Sequence, residues 1–215
     1  MKKLCKMIKA LFIISLFLSC NKENLTQHKS PTEYFPNTIG NYWEYNVYDS
    51  GQIPVDPKLP RNYTVKVSII GIKKLVDSID AYVWQISYPD GNDFRYIRMV
   101  GDTIKVFDTI YSRTVQNLQF PRHIFLIPFH DGDIWQNDLY DSDIYTTSLV
   151  RNVAVNWQFY DSAFKIFDHY LGPETEFKDT YWFKPNIGII KIYLHEYIAA
   201  PLNIQLWQLK SYYLK

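Results

Sequence analysis

From Tyr42 onward the chain alternates apolar and polar residues with a period of two, and this constrains its fold more than any other feature. In "RNYTVKVSI", Tyr63, Val65, Val67 and Ile69 oppose Thr64, Lys66 and Ser68. In "AYVWQISY", Tyr82, Trp84, Ile86 and Tyr88 oppose Val83, Gln85 and Ser87. "NYWEYNVY" sets Trp43, Tyr45 and Val47 against Tyr42, Glu44 and Asn46. Alternation over four to eight residues marks a strand buried on one face, as antiparallel sheets require. A helical period is convincing nowhere beyond the leader. The chain also carries 6 Trp, 18 Tyr and 13 Phe, side chains that suit a pleated surface and bury large areas.

Turn residues punctuate the alternation. "YPDGND" (88–93) predicts a hairpin with Asp90-Gly91 at its tip, and "VGDT" (100–103) a second. "DSGQIPVDPKLP" (49–60) predicts a long exposed loop. Later strands are expected at 122–128, 145–157, 159–168, 180–184, 187–196 and 203–214. The expected fold is all-β: a curved antiparallel meander of about ten strands, closing partly into an open barrel or sandwich, because so many strands rarely stay flat.

The N-terminus reads differently. Lys2, Lys3, Lys6 and Lys9 precede an uncharged run, Ala10 to Leu18, too short to span a membrane. A basic segment followed by a short apolar one is a secretory signal. It ends in Leu18-Ser19-Cys20, which resembles the lipobox of bacterial lipoproteins, with Phe17 where Leu is usual. The resemblance implies cleavage between Ser19 and Cys20 and acylation of Cys20, a membrane anchor without a spanning helix. The expected organisation is a leader over 1–19, an anchor and polar tether over 20–33, and a single all-β domain over 34–215. Fully extended, the tether reaches roughly 40 Å at about 3.3 Å per residue.

Removing the leader changes the charge and the cysteine count. Of 23 Lys and Arg, four leave, and none of the 22 Asp and Glu, so the mature chain carries −3. It offers no basic footprint for nucleic acid. Cys5 leaves with the leader and Cys20 is taken up by the anchor, so the domain has no disulfide, thiolate nucleophile or cysteine-bound metal.

A second resemblance spans nearly the whole mature chain. "YFPNTIGNYWEYNVYD" (34–49), "RYIRMVGDTIKVFD" (95–108), "FHDGDIW" (129–135), "VAVNWQFYDSAFKIF" (153–167) and "YWFKPNIGIIKI" (181–192) resemble motifs of a class of bacterial lipoproteins of unassigned function. The shared motifs are turns and core aromatics, with Asn156-Trp157-Gln158 where that class often has Pro-Ala-Gly. The resemblance implies a β fold and no catalytic residue.

Candidate chemistry is sparse. "HDGDIWQNDLYDSD" (130–143) gathers His130 and five aspartates, but Ile134, Trp135 and Gln136 break the spacing of a calcium loop, so a solvated acidic loop is expected. "HEYIA" has Ala199 where a zinc helix needs its second His. His28, His123, His169 and His195 fall into no ligand pattern. No cofactor, metal or catalytic residue is expected, although carboxylate pairs that meet only in space are invisible to this reading. Trp43, Trp84, Trp135 and Trp157 are candidates for binding a sugar ring or an acyl chain, each otherwise a core residue. Ser78, Thr103, Thr109 and Ser162 each follow Asp and precede an apolar residue, which resembles the acceptor of a periplasmic O-glycosylation system.

The expectation is a lipid-anchored outer-membrane lipoprotein, on the periplasmic face, acting as a non-catalytic interaction or structural module toward a protein. The alternative is a lipid- or glycan-binding carrier with an aromatic concave face. A deep pocket would favour the carrier over the module, and two acids converging in it would raise a hydrolase.

Overall fold

The computed structural model describes residues 34–50, 61–75, 80–108, 121–137, 140–172, 175–198 and 202–215. It confirms the all-β expectation. Among the described residues, twelve antiparallel strands form one sheet in the order β6-β5-β4-β3-β2-β1-β12-β11-β10-β9-β8-β7, curled into a nearly closed barrel. In chain order they are β1 (Tyr42–Asp49), β2 (Asn62–Lys74), β3 (Asp80–Tyr88), β4 (Gly91–Val100), β5 (Thr103–Asp108), β6 (His123–Leu126), β7 (Ile134–Asn137), β8 (Tyr140–Val155), β9 (Gln158–Leu171), β10 (Thr175–Lys184), β11 (Gly188–Ile198) and β12 (Leu202–Tyr213).

Two six-stranded meanders are joined by the pairing of β1 with β12, from Tyr42↔Tyr213 to Asp49↔Gln205. Their outer strands, β6 and β7, therefore meet at a seam. Side chains close it: Trp135 Nε1 donates to Ile124 O at 2.7 Å, and Asn137 Nδ2 to Pro121 O at 3.4 Å. The strand β7 lies inside the stretch expected to be an acidic loop, so twelve strands stand where about ten were expected. Only Trp135 and Asn137 of its four residues are buried, too few inward positions to show a period.

The turns follow residue chemistry with one shift of register. Tyr88 pairs with Gly91, so the loop is Pro89-Asp90 rather than Asp90-Gly91. Val100 pairs with Thr103 around Gly101, whose φ of 56° opens a two-residue turn. The expected loop at 49–60 begins after β1, and 51–60 lies outside the described residues.

Strand polarity gives the barrel two ends. At the entry end, Tyr34–Asn41 leads into β1, and Phe35 enters the barrel, its ring centroid 5.5 Å from Trp84, 6.0 Å from Phe125 and 5.3 Å from Phe183. Trp43 stacks on Trp84 at 5.1 Å and donates Nε1–H to Ile187 O at 2.7 Å. A Cβ on Gly188 (φ 97°) would lie 3.4 Å from Pro36 Cδ, so the β10–β11 turn closes over the entry segment. At the far end lie Asp49, Tyr88, His123, Tyr170, Glu196 and Asn203, by the pairings along each strand.

Candidate functional site: a lumen with an aromatic floor and an acidic far end

The barrel holds a cavity of about 540 Å³ that is open to solvent. Its floor is the aromatic layer of Phe35, Trp84 and Phe125, its wall includes Tyr45, Ile97 and Trp207, and its far end includes Arg122, His123, Asp179 and Glu196. Alternation places them. Phe177, Asp179, Tyr181 and Phe183 share the inward parity of β10, as Phe164, Ile166 and Asp168 share that of β9.

The far end is a connected set of polar side chains. His123 Nδ1 lies 3.0 Å from Asp168 Oδ2, and Tyr181 OH 3.3 Å from His123 Nε2. A neutral ring donating Nδ1–H to Asp168 and accepting from Tyr181 satisfies both contacts. Asp143 Oδ2 accepts from Asn137 Nδ2 and from Tyr145 OH, each at 3.1 Å. Asp143 and Asp168 are buried neighbours, and each carboxyl shifts the other. Asp168 Oδ1 is buried without a hydrogen-bond partner. Burial first, then the neighbouring Asp168, pushes Asp143 up to about 7. Burial also raises Asp168, to about 6, against the pull of Asp143, Arg122 and Tyr145.

Asp179 is 1% exposed and lines the cavity. Its Oδ1 accepts from the His195 amide at 3.2 Å, and burial, then Glu196 and Asp168, hold its carboxyl well above the usual range. Glu196 accepts from Asn203 Nδ2 at 2.9 Å and faces Arg122 at 3.7 Å, whose guanidinium sits 4.4 Å over the Phe177 ring. Nearby, Arg95 and Asp93 pair at 2.6 Å. The lumen thus offers apolar depth, hydroxyl and carboxyl hydrogen-bonding groups, and two internally paired arginines. Among the described residues, no three His, Cys, Asp or Glu side chains are grouped to hold a metal ion.

The four candidate tryptophans separate. Trp84 lines the cavity, and Trp43 stacks behind it. Trp135 is buried at the seam, its ring stacked on Tyr145 at 5.3 Å. Trp157 stands at the β8–β9 turn, 98% exposed and outside the lumen. Trp207 also lines the cavity and donates Nε1–H to Gln205 Oε1 at 2.9 Å. Of the acceptor-like residues, Thr103 opens β5 and Ser162 lies on β9, both half-buried. Ser78 and Thr109 lie outside the described residues, as do Ser19 and Cys20.

The acids of the far end escaped the motif reading because they lie on six strands. A signal was present nonetheless. Asp179 sits on the parity of Phe177, Tyr181 and Phe183, and Asp168 on that of Phe164 and Ile166. A charged residue on the apolar face of a strand must be paired or neutralised once the face is buried.

No family model and no curated protein matches the chain. Two solved structures are similar to it. One is a candidate lipoprotein from Parabacteroides distasonis, 11% identical, with a TM-score of 0.44 over 86% of this chain and 100% of that one. The other is a candidate exported protein with a YmcC-like fold from Bacteroides fragilis, 14% identical, with a TM-score of 0.41 over 84% of this chain and 98% of that one. At identities this low, neither lends this chain an activity or a ligand.

Proposed function

We propose that this is a binding module of the bacterial envelope whose lumen takes an amphipathic molecule, apolar end first. The observation that carries this is the cavity of about 540 Å³, with an aromatic floor and a hydrogen-bonding far end. A filled barrel would have favoured a purely structural role. The volume lies within the range of small-ligand sites, and a few polar groups over an apolar interior are their usual lining. The ligand's apolar part meets Phe35, Trp84 and Phe125, and its polar part meets His123, Asp179 and Tyr181. Because Arg95 and Arg122 face carboxylates within the protein, the lumen favours a neutral or hydrogen-bond-donating head over an anionic one. Asp179 and Glu196 both line the lumen, but the first accepts from the His195 amide and the second from Asn203 beside Arg122, so in this reading the bound molecule is carried, not transformed.

The lipobox-like leader supports acylation at Cys20, which would hold the module on a membrane; the reading takes this to be the outer membrane, on its periplasmic face. Metabolic labelling with an alkynyl fatty acid should mark the protein, and Cys20→Ser should remove the label.

Titration with a single-chain dodecyl amphiphile of neutral head tests the lumen. Trp84 and Trp207 fluorescence should change saturably, and Leu194→Trp, which fills the cavity from β11, should abolish the change. No change in the parent, or an unaltered one in the folded variant, contradicts the reading.

A further inference from the structure

The arm formed by β8 and β9 runs past the end of β10 and brings its turn against β12 and β1. The last pair between β9 and β10 is Phe164↔Phe183, whereas β8 and β9 continue to Val155↔Gln158. The six extra residues of β9 span roughly 20 Å at about 3.3 Å each. Val153 and Val155, paired with Tyr160 and Gln158, turn one side of the arm into the core. Its turn is pinned: Asn156, at φ 51°, donates Nδ2–H to Gln208 O at 3.2 Å and Leu209 O at 2.6 Å. On this fixed turn Trp157 is 98% exposed and Phe159 79% exposed. Two large rings held in water by a pinned turn have no role in the core.

The surroundings point to their partner. Ile39, in the segment before β1, and Val100, Leu126 and Ile134, which the strand pairings put toward the entry end, are also exposed, as Leu171 and Tyr197 are toward the far end. The chain joins the barrel at the entry end, since the Tyr34 ring lies 6.1 Å from Phe164 at the base of the arm. Cys20 lies fourteen residues before Tyr34. A chain of that length keeps the entry end within roughly 40 Å of an anchor.

We infer that the Trp157–Phe159 tip is a lipid-contact site that inserts into the bilayer interface and turns the entry end toward the membrane. Tryptophan and phenylalanine are the side chains that settle at that boundary, one for its amphipathic ring and one for its apolar area. The two contacts then act together: the acyl anchor sets distance, and the tip sets orientation. The far end of the lumen faces away from the membrane that holds the protein, toward whatever supplies its ligand. The inference rests on the Cys20 anchor but not on the lumen being occupied.

The test uses the native acylated protein reconstituted in vesicles of phosphatidylethanolamine and phosphatidylglycerol, with and without brominated acyl chains. Emission of Trp157 is isolated by subtracting that of Trp157→Phe, which leaves the other five tryptophans in place. The expected result is a blue-shifted signal quenched by the brominated chains and shielded from aqueous iodide, with quenching at least halved by Phe159→Ser. A red-shifted signal, open to iodide and indifferent to bromine, overturns the inference. So does a photo-crosslinker at position 157 that captures an envelope protein instead of lipid in cells. Protein that does not stay with vesicles counts against the anchor. In that case the unanchored chain added to the same brominated vesicles still decides the tip.

Discussion

The two halves of the lumen are built from the same strands and the same alternation, yet one is filled and the other is hollow. At the entry end, Phe35, Trp43, Trp84, Phe125 and Phe183 occupy the space as interleaved rings, and their polar atoms are few and satisfied. At the far end, the same parity brings in His123 and Asp179, which line the open space, and, outside its lining, the buried Asp143 and Asp168. The comparison separates two tasks. Burial of apolar area stabilises the barrel at one end, and three buried carboxyl groups oppose it at the other, where Asp179 alone of the three lines the cavity.

The largest effect should come from breaking the filled half. Phe35→Ala removes a ring 2% exposed that touches Trp84, Phe125 and Phe183, and should lower stability by about 3–5 kcal/mol in denaturant titration. A loss below about 1 kcal/mol would mean that the aromatic end does not carry the fold.

Second in size is the pH response of the hollow half. Asp143 and Asp168 have folded-state values of about 7 and about 6, above the ordinary 3.8, so the folded protein binds more protons than the unfolded one in the interval between. Stability should therefore rise as pH falls from about 8 to about 5, by on the order of 2 kcal/mol, the reverse of a paired surface carboxylate. Asp143→Asn should flatten that slope, while Phe35→Ala should leave it unchanged. A parent whose stability falls over the same interval would show that these acids are ionised in the fold.

The seam gives a smaller effect. Trp135→Phe keeps most of the ring against Tyr145 but leaves Ile124 O without its indole donor, a loss of about 1–3 kcal/mol. Amide exchange should quicken first in β6 and β7; an even change along the sheet would argue against a local seam. Smallest of all, Trp157→Ser should change stability by less than about 0.5 kcal/mol, since an indole 98% exposed contributes no core packing. A larger loss would place the arm's tip in the fold rather than at a surface.

Much of this architecture could be read from alternation alone. Strands β1 to β5 follow from residues such as Val65, Val67 and Trp84, whose parity survives into the barrel. The turn at Pro89-Asp90 shifted by one residue because local preference names a turn but cross-strand pairing fixes its register. β7 was hidden because it is four residues long and set among aspartates. Closure was hidden too, since it depends on Trp135 reaching Ile124 across the seam, a contact between strands that do not share a ladder. The candidate site was half visible. Asp168 and Asp179 stood on apolar faces in the sequence, but only curvature brings them to one end with His123. Trp157 looked like the other tryptophans, and only the length of the arm sets it apart.

The most direct test of the central claim is native mass spectrometry of the mature protein, purified gently from its own envelope and, separately, stripped and re-exposed to envelope lipid extract. The account predicts a reproducible added mass that denaturation releases, that returns on re-exposure, and that Leu194→Trp excludes. A bare mass in both preparations would contradict it and leave the cavity of about 540 Å³ a feature of packing alone.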